Sequence, residues 1–503
     1  MVRNRLAAAL ALAWLPPAVL AAQTPAPRLD SLALRAHTYF LAHDLLLGRA
    51  TGKPGAELAA LYIATQAERL GLLPAGEQRS FFQAVPLVEA DIVPARTILE
   101  LTLLDSSGSA KTEYGYDTGF IPNAGTARTL VPFAGPAAFV GSPRSVLEQP
   151  ESLPPLAGRV ALVNGLFGPE AAAADTLKSR GAVGIVHLLP DAPLYRLYVD
   201  SRGAARLFLA DSAIVSSFVP DIPAVIASPM LMRALMARVA AAGGAPRPVA
   251  LADVLLSVRI AARPRFLVSR NVAALLPGAD AARRGELIVY TAHLDHLGVG
   301  PRDAAGDSIF NGFSDNAAGA AMLLAIAQSM AAGPRPARSV LFLWLTGEER
   351  GLLGSDYFVA RPTVRLASIA GVINLDAGAP PAPSVEWRVS GAARSSLGEL
   401  ALDVARAAGW RATAAPASPN TDYFPFLRAG VPAVFLVPGP GAYEGMTLEE
   451  SQALRAQWDH YHRQSDNWRA DYPFRGLLRY AEYAWRLGMA LGAAPKPRMI
   501  AGP

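Results

Sequence analysis

The second half of the chain alternates between short continuous apolar runs and longer stretches in which apolar residues recur at helical spacing. Four of these runs are typical of strands covered on both faces, and they span residues 287–292, 340–345, 369–375 and 431–437. Helices of about a dozen or more residues fit between them. From residue 271 onward, the pattern therefore predicts an α/β domain with three layers around a mostly parallel sheet.

Two helices are predicted ahead of this pattern, over about residues 29–47 and 57–70. A loop rich in glycine and proline separates them, and Gly71 stands where a glycine commonly ends a helix. We assign residues 23–111, comprising these helices and a strand, to the same domain as the later sheet. That domain then resumes over residues 263–495.

The pattern changes between residues 112 and 262. Short β-like runs, such as residues 159–164 and 182–187, are broken by glycine and proline. A compact region with its own pattern, flanked on both sides by segments of another domain, is typical of an insertion. We therefore predict a separate β-rich domain inserted into the α/β domain.

The N-terminus has the pattern of a signal peptide. Arg3 and Arg5 precede an apolar stretch over residues 6–22, and a polar, proline-rich segment follows. The stretch is slightly short for a membrane span, although an uncleaved anchor is the alternative. The expectation is a signal peptide over residues 1–22, export to the periplasm or the exterior, and no stable membrane insertion after cleavage.

Composition narrows the chemistry that the chain can perform. Of 503 residues, 52% are hydrophobic and 17% charged, which indicates a compact globular protein rather than a disordered one. The net charge is +5, but the basic residues form no long run, so no nucleic-acid partner is predicted. With no cysteine in the chain, any metal must be held by histidine, aspartate or glutamate.

Candidate ligands follow the predicted strands. His293 and Asp295 come directly after the first strand, two residues apart, so that Asp295 could accept a hydrogen bond from the histidine and orient it. Asp315 lies in a glycine-rich loop that opens a helix, where it could also be a simple helix cap. Glu348 and Glu349 end the second strand, and one carboxylate could bind a metal while its neighbour faces a substrate water.

Two further positions complete the set. Asp376 ends a buried strand, where a carboxylate needs a charge partner or a metal. Near the C-terminus, either His460 or His462 could be a ligand. Because the carboxyl ends of parallel strands meet at one edge of a sheet, most of these side chains should converge there. Two histidines and three carboxylates fit a pair of zinc ions bridged by a carboxylate.

The order of these residues resembles that of a known family. The matching motifs are His293-Leu-Asp295, Asp315-Asn-Ala-Ala-Gly319, Glu348-Glu349, Asn374-Leu-Asp376 and Tyr461-His462. They are similar to those of the co-catalytic di-zinc aminopeptidases of clan MH, whose relatives include secreted bacterial leucyl aminopeptidases and glutamate carboxypeptidases. The middle of the chain looks like the protease-associated domain that many members insert, on segments such as residues 158–163, 177–186 and 222–226.

The resemblance implies a role for each residue. His293 and Asp376 would hold one zinc ion, Glu349 and His462 the other, and Asp315 would bridge the two. Tyr461 beside His462 favours that histidine over His460. Asp295 would orient His293, and Glu348 would be the general base that activates a water between the ions.

The implied activity is hydrolysis of the N-terminal bond of peptide substrates by a secreted metallo-exopeptidase. A carboxypeptidase or dipeptidase on the same centre is the alternative, and a non-catalytic binding protein or a glutaminyl cyclase is less favoured. Tyr423 and Phe424 could line a pocket for the substrate side chain, although such aromatics are more often core. No oligomeric state is predicted.

Overall fold

The computed structural model describes residues 29–500, except residues 107, 124–127, 168–171, 190–191, 203–204 and 244–246. The signal peptide expected over residues 1–22 lies outside the described residues, so it stays a prediction. In the described part, no helix combines the length and the apolar character that crossing a membrane requires.

The α-helices lie mainly in the N-terminal segment and in the second half of the chain. In chain order they are α1 Ser31–Leu41, α2 Pro54–Arg69, α3 Pro143–Glu148, α4 Ala172–Ser179, α5 Ala192–Arg202, α6 Pro229–Ala241, α7 Ala318–Ala332, α8 Leu353–Ala360, α9 Ser396–Ala407, α10 Tyr423–Arg428, α11 Leu448–Trp458 and α12 Arg475–Ala493.

The strands, again in chain order, are β1 Leu73–Pro74, β2 Phe82–Ile92, β3 Ile98–Asp105, β4 Gly108–Gly115, β5 Phe120–Pro122, β6 Phe133–Gly141, β7 Val160–Asn164, β8 Gly184–Leu188, β9 Ala205–Leu209, β10 Ala224–Ala227, β11 Val249–Arg259, β12 Ala262–Leu276, β13 Leu287–His293, β14 Gly298–Val299, β15 Ile309–Phe310, β16 Ser339–Leu345, β17 Ile369–Asn374, β18 Glu386–Ser390, β19 Arg411–Ala415 and β20 Ala433–Pro438.

Nine of these strands form the main sheet in the order β19-β18-β20-β17-β13-β16-β12-β2-β9, and β1 pairs with β12. The central strands β16, β13, β17 and β20 are parallel, and they are the four continuous apolar runs of the sequence. Their neighbours on both sides, β12 and β18, are antiparallel to them. The sheet is therefore mixed rather than mostly parallel, because antiparallel pairings flank its parallel centre on both sides.

Helices cover both faces of the main sheet, which confirms the α/β class. On one face, α7 packs between the sheet and helices α1, α2 and α12, and nearly all of its side chains are buried. A helix that is apolar all round is suited to such a central position. On the other face, the shorter helices α8 and α10 pack against the strands. The buried carboxyl ends of the strands are thus held from two sides.

The middle segment forms a second sheet, in the order β4-β3-β11-β6-β7-β8-β10-β5. It begins with β3 at Ile98, so the boundary expected at residue 112 falls within β4, inside this sheet. The sequence placed it too late because β3 has the same alternating pattern as β2. One strand leaves the second sheet altogether, since β9 pairs antiparallel with β2 at the edge of the main sheet.

The first predicted helix is shorter than expected. Helix α1 ends at Leu41, and a 3₁₀ turn over Asp44–Arg49 follows it. Gly48 has a φ of +65°, and a Cβ there would overlap the carbonyl oxygens of Gly298 and Phe310. The apolar spacing continues through this turn. The helix nevertheless ends before it, because the backbone at Gly48 turns to pack closely against β14 and β15. The second helix ends as predicted, with Gly71 left-handed directly after it.

The contact between α12 and β13 can be tested with a substitution at Gly488. A Cβ at this glycine would overlap the hydroxyl of Tyr290, which donates a hydrogen bond of 2.8 Å to the carbonyl of Ala484. We expect Gly488→Ala to lower the free energy of unfolding by about 1–3 kcal/mol. In a Tyr290→Phe background the loss should be smaller, because the overlapping oxygen is gone. Urea unfolding of the wild type, both single variants and the double variant measures this; simple additivity would contradict the contact.

Candidate metal centre

The predicted ligands converge at one edge of the main sheet. His293 is the last residue of β13, Glu349 lies four residues beyond the end of β16, and Asp376 lies two residues beyond the end of β17. Asp315 precedes α7, and His462 lies in the loop between α11 and α12. These elements are far apart in sequence, yet the parallel centre of the sheet directs all of them to the same place.

Asp315 lies between two histidines. Its Oδ1 is 3.1 Å from Nε2 of His293, and its Oδ2 is 3.1 Å from Nε2 of His462. Burial tends to raise the pKa of Asp315, but hydrogen bonds from both histidines outweigh it and hold this pKa well below its usual range. Each oxygen of one ionised carboxylate is thus directed at a different half of the site.

The other two carboxylates lie on opposite sides of Asp315. Oδ1 of Asp376 is 2.9 Å from Nε2 of His293, and Oε2 of Glu349 is 3.3 Å from Nε2 of His462. Candidate ligand atoms of His293, Asp315 and Glu349 all lie within 4.8 Å of one another. The five predicted ligands therefore form two groups that share the central carboxylate.

The loop around Asp315 is held by residues that the sequence analysis did not identify. Asn316, not Asp315, serves the start of the next helix, because its Oδ1 accepts a hydrogen bond of 2.8 Å from the Gly319 amide. The buried Asp466 accepts hydrogen bonds from the amides of Ser314, at 3.0 Å, and of Asp315, at 3.3 Å. The side chain of Asp315 is thereby left free to act as a ligand.

Asp295 orients His293, but through a different atom than expected. Nδ1 of His293 lies 3.0 Å from the main-chain carbonyl oxygen of Asp295 and 3.9 Å from its carboxylate. The carboxylate instead accepts hydrogen bonds from the hydroxyl of Thr51, at 2.6 Å, and from the Glu348 amide, at 3.3 Å. The expected carboxylate contact is therefore wrong, because the turn after β13 brings the carbonyl closer.

His296 is a third histidine of the site. It is fully buried, and its Nδ1 lies 2.6 Å from Oε1 of Glu349, whose other oxygen is directed at His462. Its ring packs so closely on Gly312 that a Cβ at this glycine would overlap it. The sequence shows His296 only as a second histidine close to His293. Its contact with Glu349 becomes visible only in the fold.

Of the two late histidines, only His462 lies beside Asp315. His460 is half-buried and bonds the carbonyl of Gln457, at 3.1 Å, and the hydroxyl of Ser465, at 3.0 Å. The ring of Tyr461 stacks on the His462 imidazole with a centroid distance of 3.9 Å. The backbone of His462 is left-handed, with a φ of +55°, and this conformation accompanies the inward direction of its ring.

Glu348 faces a small cavity beside the ligands. The cavity has a volume of about 90 Å³ and is lined by His293, Asp315, Glu348, Asp376, Gly378, Asn420, Thr421, Phe435 and Tyr461. Burial raises the pKa of Glu348 well above its usual range, and the nearby carboxylates of Asp376 and Asp422 act in the same direction. A carboxylate in this environment has an increased affinity for a proton.

The predicted aromatic pocket is not formed by the expected residues. Tyr423 is fully buried in the core under α10, and its hydroxyl accepts a hydrogen bond of 2.7 Å from the Ser418 amide. Phe424 packs against the same core and does not line the cavity. The aromatic residues beside the site are Phe435 and Tyr461, which come from the end of β20 and from the His462 loop. Tyr423 and Phe424 are therefore core residues rather than pocket residues.

The donor set fits zinc. Histidine nitrogens and carboxylate oxygens are ligands that zinc accepts, and the chain offers no thiolate. Asp315, Glu349 and Asp376 are largely removed from water, with side chains 5–10% exposed. Buried carboxylates at this spacing require positive charge, which bound cations would supply.

His296 offers a test of how Glu349 is held. His296→Leu removes the group that bonds Oε1 of Glu349, and we expect zinc affinity to fall by about 10- to 100-fold, as it does when partners of ligands are removed. In His296→Asn, which keeps a hydrogen-bond donor, the zinc affinity should fall less. The control is His460→Leu, at a histidine next to the site that bonds none of the predicted ligands. Competition titration with a chromophoric chelator measures the affinities; equal affinity in His296→Leu and wild type would remove His296 from this role.

Comparison with known proteins agrees with this geometry. Residues 271–486 match the model of peptidase family M28. A leupeptin-inactivating enzyme from Streptomyces exfoliatus is 32% identical over 115 residues, which are 22% of this chain and 23% of that enzyme. The chain thus spans about a quarter of that relative's length.

Two solved structures are similar over nearly the whole chain. An aminopeptidase from Aneurinibacillus sp. strain AM-1 is 18% identical, covers 95% of this chain and 97% of its own, and superposes with a TM-score of 0.53. A zinc aminopeptidase from Bacillus subtilis is 16% identical over 91% of this chain and 94% of its own, with a TM-score of 0.46. The first of these likenesses confirms the α/β fold class. Residues 271–486, which include all five predicted ligands, are therefore similar to peptidase family M28.

Proposed function

We propose that this chain is an aminopeptidase whose centre holds two zinc ions. The observation that carries the proposal is the position of Asp315, whose two oxygens each lie 3.1 Å from a different histidine. One ion would be held by His293 and Asp376, and the other by Glu349 and His462. Both would share the carboxylate of Asp315.

Glu348 is the proposed general base. When bound, the zinc ions supply positive charge that acidifies water and polarises a scissile carbonyl. The carboxylate of Glu348 lines the cavity beside the ligands, where it can take the proton of the attacking water. It can then pass this proton to the leaving amine, so that one carboxylate serves both halves of the hydrolysis.

Asp295 supports two functional groups at once. Its main-chain carbonyl orients the imidazole of His293, and its carboxylate accepts the Glu348 amide. The hydroxyl of Thr51 in turn holds this carboxylate. In the proposed mechanism, Asp295 therefore keeps a zinc ligand and the general base in a fixed relation.

The lining of the cavity favours a free N-terminus over a free C-terminus. None of its nine lining residues is arginine or lysine, and Glu348 contributes a carboxylate that the proposed zinc ions do not use. The ammonium group of a peptide would find acceptors there, whereas a terminal carboxylate needs a cationic donor. This distinction supports an aminopeptidase rather than a carboxypeptidase. The name of the Aneurinibacillus relative agrees with it.

The activity can be tested with a pool of peptides that carry either free or acetylated N-termini and either free or amidated C-termini. We expect the zinc-loaded protein to shorten only peptides with a free N-terminus, whatever their C-terminus, and a chelator to stop the reaction. Mass spectrometry of the products reads the end from which residues are lost. Trimming from the C-terminus would replace the proposal with a carboxypeptidase, and absence of cleavage would favour a binding protein.

Glu348→Gln separates catalysis from metal binding. The amide keeps the size of the side chain but cannot accept the proton, so turnover should fall by roughly 10²–10⁴-fold or more while zinc content stays that of the wild type. Glu349→Gln is the matched variant one residue away, and it should lose zinc together with activity. Elemental analysis and peptide turnover are measured on both proteins. Wild-type turnover in Glu348→Gln would exclude it as the base.

A further inference from the structure

Arg49 lies behind the metal centre, at the end of the 3₁₀ turn that follows α1. Arg49 is only 1% exposed, and its guanidinium donates hydrogen bonds only to main-chain carbonyls. The acceptors are Leu294, at 2.9 Å, Asn311, at 2.6 Å, Gly312, at 2.9 Å, and Leu41. These carbonyls belong to three separate segments of the chain.

Two of these segments carry ligands of the metal centre. Leu294 is the residue between His293 and Asp295, and Gly312 begins the loop that leads to Asp315. The guanidinium therefore bonds the main chain next to His293 and the main chain three residues before Asp315.

The main chain of Arg49 adds a further bond to the first of these loops. Its carbonyl oxygen accepts a hydrogen bond of 3.1 Å from the His296 amide. The side chain of Asn311, in the second loop, donates back to the carbonyl of Ala42 and the carboxylate of Asp44, both at 2.8 Å. The 3₁₀ turn and the two ligand loops are thus bonded to one another in both directions.

The charge of Arg49 has no direct partner in this arrangement. Among the described residues, no carboxylate lies within ion-pair distance of its guanidinium. Burial lowers the pKa of Arg49 to about 10, while the carboxylates of Asp295 and Asp315 act to raise it. A buried cation that bonds only carbonyls is costly for folding, so stability alone is a poor reason for an arginine here.

We propose that Arg49 is a positioning residue of the metal centre, holding the loops of His293 and Asp315 at the spacing that metal binding requires. The inference rests on the proposed function, since it assumes that these loops bind zinc. The planar fork of an arginine can reach several carbonyls at once, which the single ammonium of a lysine cannot do.

The chain offers a matched control in Arg338. This arginine is 2% exposed, bonds the carbonyls of Leu491 and Ala494, and pairs with Glu286 at 2.6 Å. It stands directly before β16, at the opposite end of that strand from the ligands. A substitution at Arg338 therefore removes a similarly buried arginine far from the metal centre.

The experiment compares wild type, Arg49→Met, Arg49→Lys and Arg338→Met as full-length proteins. Zinc affinity is measured by chelator competition, coordination by the absorption bands of the cobalt(II)-loaded proteins, and stability by urea unfolding of the metal-free proteins. We expect both Arg49 variants to fold and to bind zinc about 10- to 100-fold more weakly, with altered cobalt bands. Arg338→Met should lose stability yet keep wild-type zinc affinity and cobalt bands.

Four results would overturn the assignment. These are wild-type zinc affinity in Arg49→Met, full retention of affinity by Arg49→Lys, an equal loss of affinity in Arg338→Met, or failure of both Arg49 variants to fold while Arg338→Met folds. The second would mean that charge alone is needed, and the last two that the effect is on stability. If the wild type itself binds no zinc, the proposed function fails instead.

Discussion

The whole site depends on the removal of several carboxylates from water at one edge of a sheet. Asp315, Glu349 and Asp376 are close enough to repel one another, and histidines separate them on each side. Such an arrangement persists only if the surrounding main chain is fixed and positive charge is supplied. Much of the nearby structure can be understood as meeting these two conditions. Asp466 fixes the Asp315 loop, and Thr51 fixes Asp295.

The sequence predicted those parts of the fold and site that local pattern determines. The four central strands were recognised because strands buried on both faces are continuously apolar, and the ligands because they follow those strands. His462 was distinguished from His460 by the resemblance alone, and the geometry places it beside Asp315. Tyr423 was left open between pocket and core because an aromatic residue after a loop has the same pattern in both, and it belongs to the core.

The remaining features depend on contacts between distant segments. His296 contacts Glu349, and Asp466 accepts a hydrogen bond from the amide of Asp315. These residues are far apart in sequence, so the spacing of apolar residues cannot predict the contacts. The antiparallel direction of β12 and β18 was not predicted for a related reason. The direction of a strand depends on the connection that leads to it, and composition does not show that connection. Arg49 and Thr51 show, in addition, that the N-terminal segment contributes to the site although it precedes the domain of residues 271–486.

Through strand β9, the middle segment also contributes to the main sheet. It lies outside the second sheet and pairs with residues 87–91 of β2, so it covers part of the outer edge of the main sheet. An uncovered strand of eleven residues would be open to pairing with other chains and hence to aggregation. Removing the middle segment would therefore also remove a strand of the main sheet. A shortened version of this protein without β9 would leave residues 87–91 of β2 without a partner on their outer side.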